Sequence, residues 1–145
     1  MFRRAGQLLV LPLILLIIAG CGSQNRSSLA QQTVKSYWDA VGHLKLSKAY
    51  AMLSPGDRTG FTQRDFRQSM FGFLTKTEGL SVDVGKPTLV GDCALVPVHL
   101  HAPAAPGGSY PAFQNLYWLN GAWSITTPSG GLTHESRLTS CPTGA

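Results

Sequence analysis

The Asn120-Gly121 pair is the feature that most narrows what this chain can form. Asn-Gly is the preferred centre of a two-residue type I′ turn, because both positions need positive φ. Pairing outward from it sets Leu119 opposite Ala122, Trp118 opposite Trp123, Tyr117 opposite Ser124 and Leu116 opposite Ile125. Leu116, Trp118, Trp123 and Ile125 then share one face, and a one-residue slip would turn them to the other side. An antiparallel hairpin with one apolar face is therefore expected.

Upstream the pattern is also of period two. Leu80, Val82 and Val84 alternate with polar residues or glycine, predicting a half-buried strand, and Val90-Gly91-Asp92 predicts a turn. Ala94, Val96, Val98 and Leu100 share one face of a longer strand, with Cys93, Leu95, Pro97, His99 and His101 on the other. Pro97 cannot donate to a ladder, so an edge position or a bulge is expected there. Residues 102–111 (APAAPGGSYP) read as a flexible connection, and a last short strand is expected around Leu132 to Leu138.

The first half is helical in pattern. Ser28 and Gln31 have capping-box spacing, and Ala30, Val34, Tyr37 and Val41 recur at helical spacing up to Gly42, the expected stop. A short second helix is expected from about Ser47 to Leu53, ended by Ser54-Pro55-Gly56. The third starts at Thr62, with Asp65 completing a capping box and Phe61 and Phe66 spaced as a hydrophobic staple. The expected class is α+β, with N-terminal helices packed on a curved antiparallel sheet.

This order resembles the cone-shaped nuclear transport factor 2 superfamily, and within it small bacterial lipoproteins of unassigned function. The matching residues are Tyr37-Trp38, the run 49–54 (AYAMLS), and Trp118 to Ile125 with Asn120-Gly121 at its turn. The resemblance covers about residues 29–126 and implies a cone whose concave face accepts a lipid or small apolar molecule. Tyr37, Trp38, Tyr50, Trp118 and Trp123 are the candidate lining, although core packing is the plainer role for the tryptophans. The enzymes of that superfamily place acids, tyrosines or histidines inside the cone. Tyr50 and Asp83 are the nearest candidates here, but nothing pairs them as base and donor, and Asp83 alternates toward solvent.

The opening residues address location. Arg3 and Arg4 precede a twelve-residue apolar stretch, Leu8 to Ala19, which suits a signal-peptide core and is short for a membrane span. Ile18-Ala19-Gly20-Cys21 resembles the lipobox of bacterial lipoproteins, which implies cleavage before Cys21 and acylation of its thiol. The expected organisation is a signal peptide over 1–20, the lipidated Cys21 and a polar tether over 21–28, and one α+β domain over 29–145. Removing 1–20 leaves ten basic and seven acidic residues, a net charge of +3 without basic runs, which argues against nucleic-acid binding.

Lipidation of Cys21 leaves Cys93 and Cys141, and a pair outside the cytoplasm is most simply a disulfide. It would close a loop of 49 residues, for which the chain-entropy relation gives roughly 4 kcal/mol. Two readings stay open beside it: free thiols, or a metal site using the His99-x-His101 pair, for which the sequence shows no orienting carboxylate. His43 follows a helix end and reads as a cap. His134-Glu135 lacks metalloprotease spacing, Ser129-Gly130-Gly131 lacks a nucleophile elbow, and no glycine-rich phosphate loop is present.

The sequence therefore leads to a lipid-anchored protein of the bacterial cell envelope, its domain outside the cytoplasm. The expected function is a non-catalytic binding or interaction module without a cofactor, whose partners are the membrane and an apolar ligand or an envelope protein. The alternatives are a small isomerase- or dehydratase-like cavity enzyme and a metal-binding envelope protein.

Overall fold

The structure, a computed structural model, describes residues 21–103 and 107–126. The leader over 1–20, Cys141 and the strand expected around Leu132 to Leu138 lie outside the described residues. Among the described residues four helices, α1 (Cys21–Gly42), α2 (Leu46–Ala51), α3 (Pro55–Gly60) and α4 (Gln63–Leu74), precede five strands. The strands are β1 (Ser81–Val84), β2 (Thr88–Val90), β3 (Cys93–His101), β4 (Ser109–Leu119) and β5 (Ala122–Thr126). All pairings are antiparallel, in the order β1-β3-β4-β5, with β2 also paired to β3. N-terminal helices on a curled antiparallel sheet make the fold α+β.

One core joins the two layers. Ala30, Val34, Tyr37 and Val41 of α1 are buried with Ala94, Val96, Val98 and Leu100 of β3, Leu116 of β4 and Ile125 of β5. Phe66 and Met70 of α4 complete it. Each large apolar side chain so buried contributes roughly 1.5–3 kcal/mol relative to exposure.

Local chemistry sets the element ends. At α4, Thr62 Oγ1 accepts from the Asp65 backbone N–H while the Thr62 N–H donates to Asp65, and Phe61 packs edge-on against Phe66 at 6.3 Å. At the end of α1, Leu44 takes φ 56°, its N–H donates to the Val41 carbonyl and the Lys45 N–H to the Ala40 carbonyl. The helix ends at Gly42 as expected, and a Schellman motif with Leu44 in the left-handed region closes it. Asn120 and Gly121 have φ of 51° and 81°, and β4 and β5 pair in the register expected from them.

Several boundaries differ from expectation. Residues 21–28, expected as a tether, are helical and continuous with α1. Ser28 is no cap: its hydroxyl donates to the Asn25 carbonyl inside the helix. Arg26 holds this part of α1 to the sheet. Its guanidinium lies over Trp118 and Trp123 and pairs with Asp92 at 2.6 Å, and its carbonyl accepts from Trp123 Nε1. Ser54-Pro55-Gly56 starts a helix rather than only ending one. Ser54 caps α3, with Pro55 in the first turn, where a missing N–H costs nothing. The Ser54 N–H also donates to the Ile125 carbonyl, so this segment covers the outer side of β5.

Pro97 lies inside the sheet and not on an edge strand. The Gly85 N–H donates to the Pro97 carbonyl, so Pro97 faces the β1 side, where β1 ends and β2 has yet to begin. The ring occupies that break, and a Cβ on Gly85 would lie 2.8 Å from Pro97 Cγ. Pro111 solves the same problem differently. The Trp118 N–H bonds Asp92, so by two-residue alternation the even positions of β4 face β3. Pro111 faces the other side, where β5 does not reach. This is how β4 begins at Ser109, inside the segment expected to be a flexible connection.

Candidate functional site

The outer face of the sheet, opposite the core, changes character along β3. Cys93 and Leu95 are buried there, whereas His99 is exposed and His101 half-exposed. β1 sets Asp83 directly opposite His99, and β4 sets Ser109 directly opposite His101. The side chains then meet both across that direct His101–Ser109 pair and on the diagonals of the pleat. His101 Nε2 lies 2.9 Å from Asp83 Oδ2, and His101 Nδ1 lies 3.2 Å from Ser109 Oγ. His99 Nε2 reaches the same hydroxyl at 2.6 Å. The two imidazoles stack, with centroids 4.8 Å apart and planes 10° from parallel.

The chain of bonds is therefore Asp83–His101–Ser109–His99. It corrects the expectation that no carboxylate orients these rings. Asp83 points to solvent, as its alternation required, and solvent is where the histidines also stand. Ser109 was invisible as a partner because it sits in a glycine- and proline-rich stretch that reads as a loop. Among the described residues, no group of three or more His, Cys, Asp or Glu side chains is placed to hold a metal ion.

The five aromatic residues expected around one cavity fall into three packing groups. Tyr37 and Trp38 are buried in the core and meet edge-on at 5.4 Å. Tyr50 packs on Phe66 at 5.7 Å, and its hydroxyl donates to the Phe61 carbonyl at 2.9 Å. Trp118 and Trp123 meet at 5.1 Å, beneath Arg26. Consecutive positions on a helix and positions on two strands looked convergent in sequence, but packing against different neighbours separates them. Burial also pushes the Tyr37 phenol well above its ordinary pKa. Tyr117 is raised as well, by burial and then by the nearby Asp57 charge.

Of the five, Trp38 lines an open groove of about 540 Å³ between the end of α1 and β1. Lys35, Asp39, His43, Leu80, Ser81 and Val82 complete its walls. The Trp38 Nε1–H is buried and has no hydrogen-bond partner among the described residues. His43 Nδ1 lies 2.8 Å from the Asp39 carbonyl and 3.2 Å from its carboxylate, so it serves the helix end as expected while standing at the groove. Lys35 and Trp38 lie on neighbouring turns of α1, which is why one helix end supplies both a cation and an indole.

No protein-family model matches the chain, and no curated protein matches it. Among solved structures, the chain is similar to a protein from Campylobacter jejuni provisionally named an NTF2-like transpeptidase. The two share 15% identity and a TM-score of 0.42 over 71% of this chain and 98% of that one. At that distance the likeness transfers no activity. The expectation of a non-catalytic domain is corrected only to this extent: the similar structure bears a transpeptidase's name. The order of helices and strands described above supports the α+β reading on its own.

Proposed function

We propose that the chain is a lipid-anchored domain of the bacterial cell envelope that binds a small ligand in the groove between α1 and β1. The observation that carries the binding reading is the open groove of about 540 Å³ with the Trp38 side chain in its wall. Leu80 and Val82 offer the ligand an apolar wall, and Lys35 offers a charge. A molecule with a carboxylate or carbonyl on a short apolar body fits this lining.

The anchoring reading rests on the charge, apolar core and Ile18-Ala19-Gly20-Cys21 box of the leader. Cys93 and Cys141 are proposed as its disulfide. In support, Cys93 is wholly buried.

Native mass spectrometry of the chain purified from its own envelope tests binding. The wild type is expected to carry a bound small mass, and Ser81→Trp, which fills the groove from an exposed position, is expected to lose it. A wild type that carries no bound mass refutes the groove. Membrane fractionation tests anchoring: Cys21→Ser should be released from membranes or left uncleaved, and a processed variant that still sediments after a salt wash refutes the anchor.

A further inference from the structure

The cluster on the outer sheet face is separate from the groove, and with His101 neutral and protonated on Nε2 its hydrogen bonds run in one direction. The Asp83 carboxylate can only accept, so His101 Nε2 carries the proton between them. Neutral His101 then has a lone pair on Nδ1, which accepts from the Ser109 hydroxyl. The Ser109 oxygen in turn accepts from His99 Nε2. Nucleophile, base and orienting carboxylate thus stand in the sequence that activated serines require: base within reach of the nucleophile, and the base held by a third group. The imidazole meets serine through Nδ1 and aspartate through Nε2, and the roles depend on that geometry rather than on which ring nitrogen is used.

We propose that Ser109 is an acyl-accepting nucleophile, with His101 as its base and Asp83 positioning His101, in a surface site that hydrolyses carboxylic esters. Ser109 Oγ adds to the ester carbonyl carbon as its proton passes to His101 Nδ1. The ester C–O bond breaks, and the departing oxygen takes that proton and leaves as the alcohol. Water then gives a proton to the same nitrogen and adds to the acyl carbon. The Oγ–acyl bond breaks, Ser109 regains its proton, and the carboxylic acid leaves. His99 Nε2–H, already 2.6 Å from Oγ, is the donor nearest the carbonyl oxygen as negative charge develops on it.

The setting defines the substrate class. Ser109, His99 and Asp83 are all exposed, so these three side chains leave the acyl chain in the open. The strands on either side suit an ester displayed on an extended molecule that lies across the sheet.

The test uses the full-length chain in detergent and a fluorophosphonate probe, which phosphonylates an activated serine as its P–F bond breaks. Labelling mapped by tandem mass spectrometry to Ser109 is expected, with none at that site in the heat-unfolded chain. His101→Ala should label about 100-fold more slowly, the usual effect of removing a general base. Asp83→Asn should slow labelling without moving the unfolding midpoint, and Asp83→Glu should restore part of the rate. Labelling of wild type no faster than of unfolded chain, labelling at another serine, or an unchanged rate in His101→Ala overturns the proposal. The mapping is made on wild type, so it does not depend on the folding of any variant.

Discussion

The Arg26 guanidinium lies 4.4 Å from the centre of the Trp118 ring. Its neighbour Trp123 stands at 5.4 Å, and Asp92 closes the arrangement with a 2.6 Å ion pair. These contacts tie residues expected to be a free tether to the far end of the chain's hairpin. They also bring the first turns of α1, next to the proposed anchor, against the sheet.

Arg26→Ala should therefore destabilise the domain by about 1–2 kcal/mol, mainly through the partly desolvated cation–aromatic contact. The exposed Asp92 partner adds little, because surface ion pairs are worth a few tenths of a kcal/mol up to about 1. Asp92→Asn should accordingly cost much less. Thermal melts of the two variants check this, and equal losses would contradict it.

Gly85 should tolerate no side chain while Pro97 stands opposite. Gly85→Ala puts a methyl 2.8 Å from the rigid proline ring, and overpacking of this kind costs about 1–3 kcal/mol. The double variant Gly85→Ala, Pro97→Ala should recover most of that loss. A double-mutant cycle in denaturant reads the coupling directly, and additive costs would show that the two residues do not press on each other.

The buried Tyr37 phenol should make the fold sensitive to alkali. Its folded pKa is raised above the ordinary 10 of an exposed tyrosine, so the folded state holds the proton more tightly than the unfolded one. The contribution is complete below pH 10 and is lost as pH rises from there toward the folded value. The slope is about 1.4 kcal/mol per pH unit. Stability measured across that range should fall less steeply in Tyr37→Phe, and matching slopes would exclude Tyr37 as the cause.

The proposed disulfide separates from a metal site by sign. Chain made in an oxidising compartment should show no free thiol from Cys93 or Cys141 after unfolding. Reduction should lower the unfolding midpoint without abolishing the fold, since the packed core aromatics remain. Cys93→Ala with Cys141→Ala should behave like the reduced protein, and chelators should leave both unchanged. Two titratable thiols together with stoichiometric zinc or copper would reverse the assignment.

Much of the architecture was legible because its causes are local. The Asn120-Gly121 turn sets its own register, the Thr62–Asp65 cap needs only one helical turn, and the alternation along β3 marks its buried face. Within a few residues these patterns specify helix, strand and facing. Where the neighbours were distant, local reading went astray. Residues 21–28 carry no apolar stripe, and it is distant Asp92, Trp118 and Trp123 that give Arg26 a reason to be ordered. Pro97 forbids an interior strand unless the neighbouring strand breaks beside it, and Gly85 provides that break. Ser109 looked like part of a loop until β3 drew it into a ladder. The outer-face cluster is the strongest case. Asp83, His99, His101 and Ser109 come from three strands and meet across two strand pairings. No periodicity encodes that meeting, because register between separate strands is settled by how the whole core closes.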